Sequence, residues 1–402
     1  MTALSGEFSF TRLEKVIFGP GKIAEIGAEL ERRGVRRAVV VTGKSLGASP
    51  LLARVTGAMG SRCAGVFAGA AQHAPSATVR ALTAELRRLD ADAVVSFGGG
   101  SPIDSAKVAA ASIMNGRDMI AEAGELKLSS AFGAAPEGPE VIHIAVPTTL
   151  SAGEYTPAGG VTDEASRIKR GVLDPRLQPK IVINDPELTI ETPDWLWAAT
   201  GMRALDHAVE AAYSQRHQPF VDALATKAIR LLSDHLPASM AAAGGDTVEH
   251  RGQCQIAAWC SLFGGFNTGL GVSHALGHQI GPMWDVPHGV TSCITLPHAM
   301  RFMAVAAPER FGPIAEGLGL GFDTSDPARS ALACAERVGG FVAGLPVPRT
   351  LKAVGVGHNE IRAVAEAVRH EIELFGVIGR PVTLEEVASL LDAAWSGAPW
   401  TA

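Results

Sequence analysis

Four histidines fall in short, glycine-rich stretches of the C-terminal half of this 402-residue chain: His207, His274, His278 and His288. His274 and His278 stand at i and i+4, so a helix sets them on one face. Arg203 precedes His207 by one turn within the helical stretch Thr200–Glu210, which also holds Asp206 and Glu210. His288 follows on the Pro/Gly turn Asp285-Val286-Pro287-His288-Gly289. Imidazoles grouped in this way serve one of two chemistries. Three neutral rings ligate a divalent metal and leave a fourth position for water. Alternatively, rings that titrate near neutrality hand protons to a reacting carbonyl. His298, in Leu296-Pro297-His298, reads as a core residue.

A second chemical feature lies upstream. Phe97-Gly98-Gly99-Gly100-Ser101-Pro102-Ile103-Asp104 joins an apolar, strand-like run to a helical one. Glycines there let a ligand approach the backbone, and the helix that follows offers free N–H groups and a positive dipole end to a phosphate. Ser101 is placed to cap that helix or to donate to a phosphate oxygen. The spacing is not GxGxxG, so a tight strand-to-helix turn remains the alternative. Val146-Pro147-Thr148-Thr149-Leu150-Ser151 puts more hydroxyls at the end of another predicted strand.

The elements that must hold these residues alternate through the first half. Strand-like runs at Arg37–Thr42, Ala93–Phe97 and Val141–Val146 interleave with helical patterns at Gly21–Arg33, Ser76–Leu89 and Asp104–Ile113. That order predicts a parallel sheet covered on both faces, a dinucleotide-binding α/β domain over 1–185. From Pro186 onward, helical periodicity predominates: Trp195–Tyr213, Phe220–Ala243, Val248–Phe263, Gly271–Ile280, Pro308–Leu318, Pro327–Ala343, Glu360–Val368 and Leu384–Trp395. An all-α domain over 186–402 is expected.

Composition narrows the class. Hydrophobic residues at 47% and charged ones at 19% describe a packed globular protein. A net charge of −6, without a basic cluster interleaved with aromatics, argues against a nucleic-acid binder. Cys63, Cys254, Cys260, Cys293 and Cys334 form no CxxC pair and suit free thiols in a reducing compartment. No signal-like start and no apolar run of ~20 residues is present, so a cytoplasmic protein with no membrane partner is expected.

From Val16-Ile17-Phe18-Gly19-Pro20-Gly21 through GGGSPIDSAK and PTTLSAGE to the H-x3-H-x9-H array and Trp395, the sequence resembles the iron-containing (group III) alcohol dehydrogenase superfamily. Relatives there include maleylacetate reductases and, more distantly, glycerol dehydrogenase and dehydroquinate synthase. The resemblance implies the two-domain α/β plus all-α fold, NAD(P)H as cofactor and a homodimer. Gly98, Gly99, Gly100 and Ser101 match the pyrophosphate turn. Asp104, Thr148, Thr149, Leu150 and Lys169 match positions beside the cofactor. His207, His274 and His288 match three metal ligands (iron or zinc) of the metal-dependent members, and His278 matches the histidine near the nicotinamide.

Two positions depart from that pattern. Arg203 stands where metal-dependent members carry an aspartate ligand, and a guanidinium cannot ligate a cation. This loss resembles the maleylacetate reductase branch, although the residue usual there is asparagine. Arg203 then serves as an anion-binding group for a substrate carboxylate or developing oxyanion, or as scaffold paired with Asp206 or Glu210. After the first strand of the nucleotide domain, Gly43-Lys44-Ser45 replaces an aspartate that would hold a ribose, which leaves room for a 2′-phosphate and NADPH. The expected function is reduction of a small oxo-acid or unsaturated acid in aromatic compound catabolism. Arg203 would orient substrate, and His278 and His288 would supply the proton. A metal-dependent alcohol dehydrogenase and a lyase with transient NAD use are the alternatives.

Overall fold

A computed structural model describes residues 6–124, 138–165 and 168–401. They fall into two compact units. The α/β unit comprises Phe10–Thr192 and Gly244–Gln255; the helical unit comprises the segment up to Ser9, Pro193–Ala243 and Ile256–Ala402.

The α/β unit contains strands β1 (Lys15–Phe18), β2 (Ala38–Val41), β3 (Cys63–Phe67), β4 (Ala93–Gly98), β5 (Ile142–Pro147), β6 (Ala158–Asp163), β7 (Ile168–Leu173) and β8 (Ile181–Asn184). All except β6 and β7 form one parallel sheet in the order β1-β8-β5-β4-β2-β3. Helices α1 (Ile26–Arg32), α2 (Lys44–Gly47), α3 (Pro50–Met59), α4 (Ser76–Arg88) and α5 (Gly100–Met114) lie in the connections. Successive residues of β2 point to opposite faces: Val39 and Val41 pack with Val79, Leu82, Ala106 and Ala109, whereas Ala38 and Val40 pack with Ile26, Leu30 and Val55. Both faces are thus covered, which explains the nearly unbroken apolar runs of β2 and β4.

The chain leaves β2 for β3 on one side and returns to β4 on the other. Strand order therefore reverses between β2 and β4, and the crevice at their carboxyl ends is where open α/β sheets take ligands. Gly43-Lys44 follows one of these strand ends and Gly99-Gly100-Ser101 the other.

The helical unit is built from α6 (Asp194–Tyr213), α7 (Pro219–His235), α8 (Ala238–Ala241), α9 (Gly245–Leu262, which begins in the α/β unit), α10 (Gly265–Thr268), α11 (Val272–Trp284), α12 (His288–Ala306), α13 (Gly312–Leu318), α14 (Pro327–Ala343), α15 (Ala365–Phe375) and α16 (Leu384–Ser396). Helix α6 is buried from Trp197 through Tyr213 and packs against α7 and α12, while α12 also meets α11 and α14.

Three sequence expectations need correction. His288 is not on a turn: it is the first residue of the 19-residue α12, with Pro287 before it. Nearly every side chain of α12 is buried and Pro297 lies inside it, so it shows no polar face and no helical period. The antiparallel hairpin β6–β7 was also unforeseen, because Gly159, Gly160, Lys169 and Arg170 dilute its apolar pattern. Finally, the units part at Thr192/Pro193 rather than at Asp185/Pro186. Asp185 accepts hydrogen bonds from Gly21 and Ile23, and Thr192 Oγ1 donates to Thr148 O at 2.7 Å, which ties this segment to the sheet. Arg251 donates to the carbonyls of Thr189 and Thr192, which binds Gly244–Gln255 to the same unit.

Candidate active site

At the carboxyl end of β4 the backbone turns sharply. Gly98 has φ of +147°, a conformation open to glycine, and a Cβ there would stand 2.9 Å from Pro102 Cγ. A Cβ on Gly99 would approach Thr149 Cγ2 to 3.0 Å, and one on Gly100 would meet Ser151 Oγ at 3.4 Å. The glycine turn and the Thr148–Ser151 loop therefore form two walls of one cradle, joined by Thr148 N donating to Gly98 O at 3.0 Å. Helix α5 starts at Gly100, earlier than the expected Asp104, and no side chain caps it. Ser101 is not the cap: it sits in the first turn, and its Oγ accepts from His73 N at 3.2 Å. The hydroxyls of Thr149 and Ser151 are buried with no hydrogen-bond partner. Free amides at a helix start beside orphaned hydroxyls fit a pyrophosphate. Lys169 reaches from β7 to Asp104, Nζ to Oδ2 3.1 Å, on the next turn of α5. Leu150 is fully buried beneath the loop, and Lys44 is exposed at the start of α2.

In the helical unit, α6 buries Arg203, Asp206, His207 and Glu210 on consecutive turns. Burial of so many polar groups is tolerated only when each finds a partner. The Arg203 guanidinium donates through Nη2 to His288 Nε2 at 2.5 Å and through Nη1 to Ser292 Oγ at 3.2 Å. The Ser292 hydroxyl in turn donates a hydrogen bond to Asp206 Oδ2 at 2.6 Å, and Ser273 donates to the same oxygen at 2.8 Å. Asp206 Oδ2 is also 3.7 Å from Arg203 Nη1. Glu210 accepts from the backbone N–H groups of Gly271 and Ser273 at 2.6 and 2.7 Å and from the Tyr213 hydroxyl at 2.9 Å. It thus pins the start of α11. His274 Nδ1 lies against Glu210 Oε2, off the line of a hydrogen bond.

The rings form a row. His207 and His274 have centroids 4.9 Å apart, His274 and His278 6.1 Å, and His278 and His288 stack at 5.3 Å with planes 10° apart. His278 Nδ1 is closely paired with Glu371 on α15, whose other oxygen accepts from Gln279 Nε2 at 2.9 Å. Burial pushes His207 and His274 well below the usual imidazole range, helped by the nearby Arg203 charge. Burial pushes Asp206 and Glu210 upward, and the Glu210 charge adds to the rise of Asp206.

Two family models cover nearly all of the chain: "Iron-containing alcohol dehydrogenase" over residues 14–186 and "Fe-containing alcohol dehydrogenase family, C-terminal" over residues 197–395. The chain belongs to the iron-containing alcohol dehydrogenase family. It is an oxidoreductase. It is 30% identical to the NAD-dependent methanol dehydrogenase of Bacillus methanolicus over 94% of this chain and 97% of that one. It is 31% identical to the maleylacetate reductase of Sphingobium indicum over 96% of both. Among solved structures, the alcohol dehydrogenase from Oenococcus oeni matches with a TM-score of 0.86 at 27% identity, covering 97% of this chain and 100% of that one.

Members of the iron-containing alcohol dehydrogenase family typically use NAD(P) and a divalent metal. The cradle suits the first, for the reasons above. The metal donors fit poorly. Among the described residues, His207, His274 and His288 do not converge on one point; the set that does, within 4.8 Å, is Asp206, Glu210 and His274. His288 Nε2 is occupied by Arg203, because a guanidinium can only donate. Asp206 and Glu210 already accept several hydrogen bonds and face the Arg203 charge. Arg203, His278 and His288 are brought together as expected, while His207 and His274 lie deeper in the row.

Sequence reasoning missed Glu371 and Ser292 and treated Asp206 and Glu210 only as pairing partners for Arg203. Asp206 and Glu210 carried a readable signal, two acids on a helix whose surroundings are mostly Ala, Leu, Val and Trp. Ser292 stands one turn after His288 and became visible only once α12 was known to run through both, whereas Glu371 carried no signal because it reaches His278 from α15, far away in sequence.

Proposed function

We propose that this enzyme is an NAD(P)H-dependent reductase of a small oxo-acid or unsaturated acid, of the maleylacetate reductase kind, working without a catalytic metal. The observation that carries this reading is Arg203, buried among Asp206 and Ser292 and donating to His288 where metal-dependent relatives carry a ligand. A bound nicotinamide supplies the hydride. Arg203 holds a substrate carboxylate or a developing oxyanion, in a dry site where a fixed cation is most effective. His278, its Nδ1 fixed by Glu371, presents Nε2 to give a proton, and His288 stacks beside it. Lys44 and Ser45, exposed beyond β2 with no carboxylate in Gly43-Lys44-Ser45, favour a 2′-phosphate and hence NADPH. The 31% identity to a maleylacetate reductase supports the substrate class. A cytoplasmic homodimer acting in aromatic compound catabolism accords with this reading.

The test is NADPH oxidation with maleylacetate before and after exhaustive chelation, with metal content measured on the same samples. Undiminished turnover by metal-depleted protein is expected. Loss of turnover restored by Zn²⁺ or Fe²⁺ sinks the metal-free reading. It would favour the second reading, a metal-dependent alcohol dehydrogenase. The convergence of Asp206, Glu210 and His274, and the unpartnered ring nitrogens of His207 and His274, speak for that second reading.

A further inference from the structure

Helix α12 has two working faces. Ser292 turns toward Arg203 and Asp206, whereas the next residue, Cys293, lines a cavity on the other side, between α12, α14 and the segment after α16. That cavity has a volume of about 490 Å³. It is lined by His298 and Arg301 from α12, Glu336 from α14, and Arg349 and Thr350 from the loop beyond.

The charge in it is unbalanced. Arg301 meets Glu336 at 3.3 Å, but that carboxylate is largely exposed at 66%, and exposed pairs of this kind are weak. Arg349 has no hydrogen bond or ion pair among the described residues. His298 lines the cavity with 6% of its surface exposed; its Nδ1 is sealed off without a partner, which leaves the Nε2 side of the ring to meet a ligand. Burial and the Arg301 charge hold this ring at about 4, so it stays neutral and keeps an N–H to donate. Thr350 Oγ1 accepts from Ala353 N at 3.0 Å, and its own proton remains to be given. Donors and positive charge gather here, and the cavity holds room for several heavy atoms.

We propose that this cavity is a binding site for a small dianion, a phosphate or a short dicarboxylate. Arg349 and Arg301 provide the charge, and Thr350 and His298 provide neutral hydrogen bonds. The ligand is separate from whatever Arg203 binds, because the two sites lie on opposite faces of α12.

Calorimetric titration of the full chain, saturated with NADP⁺ to fill the nucleotide cradle, tests this at low ionic strength. The probes are inorganic phosphate and succinate, run separately. The R203M variant should bind one or both probes at one saturable site, and the wild-type protein should show that site as well. R349Q, which alters an exposed side chain and leaves the melting temperature unchanged, should weaken binding at least about tenfold, in line with the loss of one charge-assisted contact. The ring ¹⁵N signals of His298 should shift on saturation. Binding of phosphate alone or succinate alone identifies the source of the dianion. No saturable binding, binding that survives R301Q/R349Q, or binding lost in R203M overturns the proposal.

Discussion

Arg203 and His288 are joined by a single hydrogen bond of 2.5 Å, from a guanidinium that can only donate to a ring nitrogen that must therefore accept. The nitrogen a metal would need is committed, and the cation that commits it is itself braced by Ser292 and Asp206. Exchanging the charge should exchange the chemistry. Arg203→Met is expected to lower kcat/KM by about 10²–10³, the usual loss when a preorganised oxyanion donor is removed. Arg203→Asp removes the guanidinium, frees His288 Nε2 and offers a carboxylate beside three imidazoles. That variant should bind about one equivalent of Zn²⁺ where the wild type binds little, read by elemental analysis after dialysis. If the two proteins retain equal metal, the guanidinium is not what governs ligation here.

Much of this is legible in the amino-acid sequence. The parallel sheet covered on both faces follows from apolar runs alternating with helical periods, the glycine turn from its place between a strand-like and a helical run, and the shared face of His274 and His278 from their i, i+4 spacing. Helix α12 was not legible, since a helix buried along most of its length has no continuous polar stripe to betray it. With it went the true position of His288, at a helix start rather than on a turn. Glu371 was invisible for another reason. An acid on the amphipathic α15 looks like any solvated charge until the fold carries it to His278. Periodicity reports which face is buried; it is silent on which distant side chain arrives there.

Asp206 makes a pH-dependent contribution whose sign is fixed by its burial. Desolvation and Glu210 raise its carboxyl above the unfolded range, so the folded protein holds that proton more tightly than the unfolded chain does. The resulting stabilisation is complete below roughly pH 4 and declines as pH climbs toward the folded value. Asparagine cannot titrate and mimics the protonated acid. The melting temperature of Asp206→Asn should therefore improve relative to wild type between about pH 5 and pH 9. Shared effects of His207 and His274 largely cancel in that difference. A gap that stays constant or widens against the variant would falsify the assignment.

Glu371 is a positioning residue, acting through His278. Its carboxylate accepts a hydrogen bond from Nδ1–H, which fixes the ring and leaves Nε2 for the proposed proton transfer. Glu371→Ala should lower kcat by about 10–100-fold with little change in KM, because ring orientation matters to proton transfer and not to substrate binding. Glu371→Gln keeps a carbonyl acceptor and should recover most of the loss. Equal defects in both variants, or a defect confined to KM, would show that the contact only props α15 against α11.

Lys44 begins α2 directly after β2, at the reversal of strand order where the adenosine end of a dinucleotide would lie. It is exposed and makes no ion pair among the described residues, so its charge is available to a 2′-phosphate. Lys44→Asp replaces attraction with repulsion at that point and restores a carboxylate able to hold ribose hydroxyls. The ratio of kcat/KM for NADPH to that for NADH should fall by about 10–100-fold, the range of one or two charge-assisted contacts. The melting temperature should hold, since neither side chain is packed. Gly99→Ala is the control for the other end of the cradle. Its Cβ would press on Thr149 at 3.0 Å, so it should weaken both cofactors alike. A Lys44→Asp variant that loses NADH and NADPH in equal measure would place the discriminating contact elsewhere in the α/β unit.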